Sequence, residues 1–555
     1  MAIEYRLPVQ RQRWGRRWTW ISGAVVLLLA LVALAAWFIF IPVYQLNLLI
    51  ENGLVVDGTG GPPRNYDVAI RDGRVVAIGR SWRFIFSRPK LRLDASGKIV
   101  APGFIDVHTH VEPNLPASSA FRPANFLRQG VTTIITGNCG RSRANLAETF
   151  RQLEKHGTAI NVASLVGHNS LRREVMGEEA RAPTPEELER MKQLVDKAMT
   201  SGALGLSTGL VYNPGRFAET PEVVALAGVA AKYDGLYVSH IRDEGRGGMA
   251  ALREALEIGR QAKARTHISH FKSSGPSQWG AIAERLALLD AARQAGQQVA
   301  IDVYPYTRSS TTTDLLLPDW AVKNKRQGLH QAAQDARSRQ KLRADILQGL
   351  RQDGWRDLTH IRLVSGKPEW IGRTLVEVPK VAADLDRQIE NLIEISLGGG
   401  AQAVYADMNE ADVEKVMAYP FCVFGSDSAV RDPDVQYKPH PRGAGTFPRI
   451  FRLYVKEKNL LTLSAAVHKA TGQAAELFNL EGRGRLRPGE WADVVIFDPQ
   501  RIEDLADYDQ PFAGPVGIDY VVVNGVVAVD HDALTAASSG KALRKSSAVA
   551  RSNGE

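Results

Sequence analysis

His108 and His110 close the run Asp106-Val107-His108-Thr109-His110, which follows an apolar stretch and the kink Ala101-Pro102-Gly103. On an extended strand, residues two apart project to the same side, so these two imidazoles can share one metal ion. His240 stands in Ser239-His240-Ile241-Arg242 and His270 in Ser269-His270-Phe271-Lys272. Each follows an apolar run and precedes a cation by two residues, and together they complete a set of nitrogen ligands large enough for two ions. The chain has only two cysteines, which excludes a disulfide scaffold. Cys139, in Asn138-Cys139-Gly140, is either a buried structural thiol or a thiolate ligand, since zinc accepts sulfur and imidazole together. Cys422 lies inside the apolar run Tyr419-Pro420-Phe421-Cys422-Val423-Phe424 and reads as core packing. Asp427, in Gly425-Ser426-Asp427-Ser428, is the natural general base for water attacking a carbonyl. A bound metal would lower that water's pKa from about 15.7 towards about 7 and polarise the carbonyl. His168, in Gly167-His168-Asn169, either donates a hydrogen bond to the developing oxyanion or is structural. His156, His267, His330, His360, His440, His468 and His531 have no comparable placement as ligands.

The elements that must hold these residues follow a rhythm. Eight short apolar runs each end in polar residues: IVAPGFIDVHTH, VTTIITGNCG, INVASLVGHNS, GALGLSTGL, LYVSHIRDE, THISHFKSS, QVAIDVYPYT and FCVFGSDS. Helical stretches such as residues 185–201, 221–233 and 250–264 separate most of them. That is the βα alternation of a parallel sheet, and eight units predict a (β/α)8 barrel. In such barrels the chemistry sits at the C-terminal ends of the strands, where the polar residues fall here. The rhythm breaks over residues 310–419, too long for one βα connection, which predicts an inserted, mainly helical subdomain and suggests a lid over the barrel mouth.

Short β-strands with Asn-Gly and Gly turns flank the barrel at both ends, in LNLLIENGLVVDG and YDVAIRDGRVVAIG, then in WADVVIFD and IDYVVVNGVVAVD. The expected architecture is an α/β TIM-like barrel at 101–470, with a small β domain built from 46–100 and 471–530. Residues 531–555, rich in Ser and Ala, read as a loose tail.

Composition agrees with a folded chain of two to four compact units, at 555 residues, 44% hydrophobic and 23% charged. The net charge is +9, but the basic residues are scattered among acids, so no nucleic-acid partner is expected. The dense basic run, Arg11, Arg13, Arg16 and Arg17, has another explanation. Residues 18–43 carry no charge and are long enough to cross a bilayer, with Trp18, Trp20, Trp37 and Tyr44 near the two ends. Arginines precede this segment and no Lys or Arg follows until Arg64. That asymmetry predicts a single-pass anchor in membrane lipid, with residues 1–17 cytoplasmic and the catalytic body periplasmic or extracellular. A cleavable signal peptide is the competing reading, with Ala33-Leu34-Ala35 as its cleavage-like site, but apolar residues run on to Val43.

Residues 103–110, Gly-Phe-Ile-Asp-Val-His-Thr-His, resemble the opening signature of the amidohydrolase superfamily. Within it, five segments resemble the D-aminoacylase (N-acyl-D-amino-acid deacylase) family: TGNCG at 136–140, GHN at 167–169, GALGLSTGL at 202–210, SHIRDE at 239–244 and HPRGAGTFPR at 440–449. The resemblance runs from about residue 46 to 530 and implies a set of roles. Cys139, His240 and His270 would hold one tight zinc; His108 and His110, with Cys139 bridging, would form a weaker second site; Asp427 would be the catalytic acid/base. Lys272 and Tyr212 match family positions that contact substrate, with Tyr304 or Tyr306 assisting. Hydantoinases and dihydroorotases use a carboxylated lysine on strand four, and residues 202–210 contain none.

The expected substrate is a small N-acyl-D-amino acid or a D-residue-containing peptide. Its α-carboxylate would meet Arg442, whose planar guanidinium suits a bidentate partner. The alternatives are a membrane-bound dipeptidase, a cyclic-amide hydrolase, or a non-catalytic scaffold on the same fold.

Overall fold

A computed structural model describes residues 22, 23, 25–30, 32, 44–115, 119–431 and 437–545. Eight parallel strands close into the barrel. They are Phe104–Asp106, Val131–Thr136, Asn161–Ser164 continued by Val166–Gly167, Gly205–Gly209, Leu236–His240, Arg265–Ile268, Val299–Val303 and Cys422–Phe424. Strand pairing runs in chain order, and the ring closes where Val107 N donates to Phe424 O (3.3 Å) and Thr109 bridges Ser428. All eight expected runs supply a strand.

The strands are buried on both faces, as near-continuous apolar runs require. Amphipathic helices cover the outside. One of them, Pro185–Thr200, starts with a reciprocal cap: Thr184 Oγ1 accepts from Glu187 N (3.2 Å), and Glu187 Oε2 accepts from Thr184 N (2.8 Å).

Both ends of the chain build one nine-stranded sheet beside the barrel. Ile99–Pro102 is its central link, pairing with Gln45–Val55 on one side and antiparallel with Val494–Phe497 on the other. The first expected run therefore splits. Its first four residues belong to the small sheet, and the barrel strand begins only after Gly103, where a Cβ would sit 2.2 Å from the Thr132 side chain.

One expectation is extended and one changes. The insert is mainly helical, as expected, but Ser309–Thr312, Gln402–Tyr405 and Ile361–Leu363 add an antiparallel three-stranded sheet, with its own apolar core under Asp319–Gln334, Ala336–Gln352 and Leu385–Leu397. The segment after residue 530 is not loose as far as residue 545. Ala533–Leu534 extends the small sheet, residues 540–543 lie along barrel strand three, and Lys545 N donates to Gly202 O (3.0 Å). Gly540 N donates to Thr158 O (2.8 Å), Val162 N to Lys541 O (2.9 Å), and Leu543 N to Val162 O (2.8 Å). The small residues that suggested a tail are what let the chain lie this close, since a Cβ on Gly540 would be 2.2 Å from Ile160 O.

The expected anchor at 18–43 falls almost wholly outside the described residues. Residues 22, 23, 25–30 and 32 are helical and exposed. Among the described residues no helix is long and apolar enough to cross a membrane.

Candidate metal centre

The C-terminal ends of five barrel strands bring Cys139, His240, His270, His108, His110 and Asp427 together. Cys139 sits at the centre. Its Sγ lies 3.4 Å from His108 Nε2, 3.5 Å from His240 Nδ1 and 3.6 Å from His270 Nε2. Three overlapping ligand groups result: Cys139 with His240 and His270; Cys139 with His108 and His110; and His108 with His270 and Asp427. Within each group the ligand atoms lie within 4.8 Å of one another. One thiolate and two imidazoles on a closed, buried surface form a donor set that suits zinc. No second thiol is near, since Cys422 is in the core with its pKa pushed up to about 12 by burial.

The backbone is strained where it aims these groups. Cys139 (φ 50°), His270 (φ 33°) and Asp427 (φ 50°) all take the left-handed conformation that side chains avoid. At Cys139 the loop passes through Gly137 and Gly140, both at positive φ, and a Cβ on Gly140 would lie 2.0 Å from Asn169 Oδ1. This tight crossing throws the thiol inward.

Carboxylates behind the ligands fix their orientation. Asp302 Oδ2 lies 2.8 Å from His267 Nε2 and 3.3 Å from His108 Nδ1, while its Oδ1 accepts from His270 N (2.9 Å). Glu244 Oε1 is 2.9 Å from His270 Nδ1 and 2.6 Å from Lys272 Nζ. Such partners set the tautomer and raise the basicity of a metal-binding imidazole.

Electrostatics separates the groups. Burial would push the Cys139 thiol up, but the surrounding imidazoles of His108, His110 and His240 outweigh it and hold its pKa well below the ordinary value. Burial likewise opposes ionisation of Asp427, and Arg442, His108 and His110 overcome it, keeping the carboxylate charged. Asp427 Oδ1 is 2.9 Å from His110 Nε2, and its Oδ2 is 2.8 Å from Arg442 Nη1.

A cavity of about 200 Å³ opens onto this cluster. His110, Cys139, Asp427, Tyr212 and Arg442 line it. Arg442 is buried; its Nη1 is taken up by Asp427, and its Nε has no hydrogen-bond partner, so one donor remains for an anion. Tyr212 packs edge-on against His240 at 4.9 Å and hydrogen-bonds Thr311 (3.2 Å).

Three expected site residues stand elsewhere. His168 does not reach the cluster. It is the first residue of the helix His168–Met176, which turns its ring towards the outer helices, and Nε2 pairs with Glu222 Oε1 at 2.7 Å. Of the two roles the sequence left open for His168, this ion pair fits the structural one and not the oxyanion donor. Lys272 and Tyr304 are not among the lining residues. Lys272 is held behind His270 by Glu244, 5.7 Å from the Tyr304 ring, and Arg442 lies over the same ring at 4.8 Å. Tyr306 is further off, under Arg449.

The cavity also uses residues that sequence reasoning missed. Ser310, Thr311, Thr312 and Gln402 come from the insert, so the insert forms one wall of the mouth. Arg141 and Arg431 add positive charge. Arg141 directly follows the Asn-Cys-Gly turn and could have been found by following that motif one residue further.

Comparison with known proteins bears on this site. The family model described as amidohydrolase matches residues 93–529. An N-acyl-D-glutamate deacylase from Alcaligenes xylosoxydans xylosoxydans is 37% identical over 535 residues, covering 91% of this chain and 98% of the relative. The crystal structure of an N-acyl-D-glutamate deacylase from Bordetella bronchiseptica, complexed with zinc and a phosphonate mimic of the tetrahedral intermediate, superposes with a TM-score of 0.75. It is 34% identical and covers 90% of this chain and 100% of that one. A solved D-aminoacylase, described with a binuclear metal centre in which one metal activates and the second attenuates, gives a TM-score of 0.76 at 32% identity. It covers 90% of this chain and 100% of that one.

Proposed function

The chain belongs to the amidohydrolase family, in its D-aminoacylase and N-acyl-D-glutamate deacylase branch, and on that premise we infer that it is a zinc-dependent hydrolase of N-acyl-D-amino acids. It cleaves a linear amide to a carboxylate and a free D-amino acid. The observation that carries this reading is the convergence of Cys139, His240, His270, His108, His110 and Asp427 beside one cavity that Arg442 also lines, with its Nε unpartnered.

Cys139, His240 and His270 would hold the tight zinc, and His108 and His110, with Cys139, would hold a weaker second ion. Zinc, when bound, supplies a Lewis acid that polarises the acyl carbonyl and makes water nucleophilic at neutral pH. Asp427 takes the proton of the attacking water and passes it to the leaving nitrogen. Its ionised state in the free enzyme suits the first half of that task. Arg442 clamps the α-carboxylate and so fixes the amide against Asp427, and Tyr212 closes the side beside His240. Lys272 acts through His270 and Glu244, as an orienting cation rather than a substrate ligand. Barrel strand four, Gly205–Gly209, carries no lysine, which disfavours the bridging chemistry of cyclic-amide hydrolases.

For residues 18–43 we propose a retained single-pass anchor with a cytoplasmic N-terminus and the catalytic body outside. The uncharged length and the arginine asymmetry support it. Substrates outside the cytoplasm would be N-acyl-D-residues or D-residue-containing peptides.

The test uses the full chain, purified without chelator. Amine release is measured from N-acetyl-D- and N-acetyl-L-amino acids, with zinc content determined on the same sample and on Cys139→Ala. Release from the D series, with zinc lost in the variant, is expected. Release from the L series alone, or full zinc content in Cys139→Ala, would overturn the assignment.

A further inference from the structure

His440 stands two residues before Arg442, outside the ligand groups and outside the residues that line the cavity. It is nonetheless 1% exposed, and both of its ring nitrogens are in use. Nδ1 faces the backbone N–H of Arg442 at 3.0 Å, and Nε2 faces the carbonyl oxygen of Arg308 at 3.0 Å. A backbone N–H only donates and a carbonyl only accepts, so the ring must accept at Nδ1 and donate from Nε2. The two partners thereby select one neutral tautomer. The surroundings agree with it. Burial and the neighbouring Arg442 charge hold the imidazole pKa well below its ordinary value. Tyr306 and Tyr508 stand edge-on to the ring at 5.0 Å and 5.2 Å and fix its plane.

The two partners belong to different parts of the molecule. Arg442 opens the helix Arg442–Arg449, and its N–H is one of those that a helix start leaves without an internal partner. Its guanidinium meets Asp427 at 2.8 Å and lies over the Tyr304 ring at 4.8 Å. Arg308 immediately precedes Ser309–Thr312, the insert strand whose Ser310, Thr311 and Thr312 wall the cavity. The next residue, Ser309, is pinned as well: its N donates to Asp407 Oδ1 (3.1 Å) and its Oγ to Asp407 Oδ2 (2.8 Å). Asp407 follows Gln402–Tyr405, where the chain leaves the insert's sheet. The imidazole is therefore a strut between the arginine of the cavity and the root of the strand that walls it.

We propose that His440 is a positioning residue for substrate. Its two hydrogen bonds set how Arg442 stands relative to the insert wall, and so where the α-carboxylate of an N-acyl-D-amino acid comes to rest. This rests on the reading of Arg442 as the carboxylate clamp.

The experiment uses the full chain, loaded with zinc, and two substrates: the N-acetyl-D-amino acid that wild type turns over fastest and its α-carboxamide. Acetate release is measured from both. The carboxamide lacks the charge that Arg442 would hold, so the ratio of kcat/KM, acid over amide, reads the clamp. His440→Asn keeps an acceptor near the Nδ1 position but is too short to donate to Arg308; His440→Gln has the reach to Arg308 but no acceptor placed for Arg442. Each should lower the ratio about tenfold, the size of one lost hydrogen bond, chiefly through a higher KM for the acid. A histidine that only supports the fold would weaken turnover of both substrates alike and leave the ratio at its wild-type value. That result, in either variant that folds, overturns the proposal while the clamp stands. A wild type that takes acid and amide equally refutes the clamp itself, and the positioning role falls with it.

Discussion

Two buried imidazole–carboxylate–cation clusters lie near the ends of barrel strands, and one of them lines a cavity of about 200 Å³. At the mouth, His108, His110, His240 and His270 surround Cys139, with Asp427 paired to Arg442. Behind strand three, His168 pairs with Glu222, and Glu222 pairs with Arg172. Both clusters are charged, desolvated and hydrogen-bonded. They differ in what is left over. The mouth cluster has several nitrogens and a sulfur converging on one point beside a cavity, which Arg442 lines with an unpartnered Nε. In the other cluster both oxygens of Glu222 are used, one by His168 and one by Arg172, and the nitrogens left without partners, His168 Nδ1 and Arg172 Nε, are buried rather than gathered on a shared ligand point. Burial, ion pairing and leftover donors therefore do not identify a catalytic centre; ligand atoms converging beside a cavity do.

That contrast can be broken most sharply at Asp427. Asp427→Asn removes the proton carrier while keeping the side-chain volume. It should lower kcat by about 10²–10⁴-fold, the usual size of a general acid–base contribution. Steady-state kinetics on zinc-loaded enzyme checks this, and a variant retaining wild-type kcat would remove Asp427 from the mechanism.

The cluster at Glu222 should answer with stability instead. Glu222→Gln leaves Arg172 buried without its carboxylate, at a cost of about 3–5 kcal/mol in unfolding free energy. The kcat of the folded fraction should not change. Burial would raise the Glu222 pKa, yet His168 and Arg172 outweigh it and hold it below its ordinary 4.5. A lowered folded pKa gives stability that is present above the unfolded value and is lost as pH falls through the folded one. Acid denaturation of wild type should therefore carry a step below about pH 4.3 that the variant lacks. Denaturant titrations across that range measure it; a variant with the same acid slope would show that Glu222 is not a structural ion-pair partner.

The smallest effect is expected at Arg442→Lys. The charge stays, but the planar fork is lost, so KM should rise roughly tenfold with kcat changed less. An equal loss in both parameters would place Arg442 on the proton path through Asp427 rather than on the substrate.

The same contrast explains what could be read from the chain. The barrel was legible because each of its strands is a short apolar run ending in polar residues, as in VTTIITGNCG and LYVSHIRDE. The metal cluster was legible because its residues sit at equivalent strand ends. His168 misled for a local reason. Gly167-His168-Asn169 ends a strand as the others do, but the helix begins at His168 itself, so its side chain follows helical rather than strand geometry. The insert's sheet was hidden because Ser309–Thr312 is short and polar, with no alternation to mark it. Glu244 and Asp302 were hidden because a carboxylate that orients a ligand has no spacing rule; it is recognised only by its distance to the ring.

The split sheet also sets an order of events during synthesis. Gln45–Val55 and Ile99–Pro102 come off the ribosome early, yet Ile99–Pro102 pairs along its whole length with Val494–Phe497. Strand three of the barrel is likewise bordered by residues 540–543. Contacts this far apart in sequence are slow to form, because the loop between them must close first. The nascent chain must hold about four hundred residues of barrel with its flanking sheet half made, so the finished structure is a product of the completed polypeptide and not of its growing end.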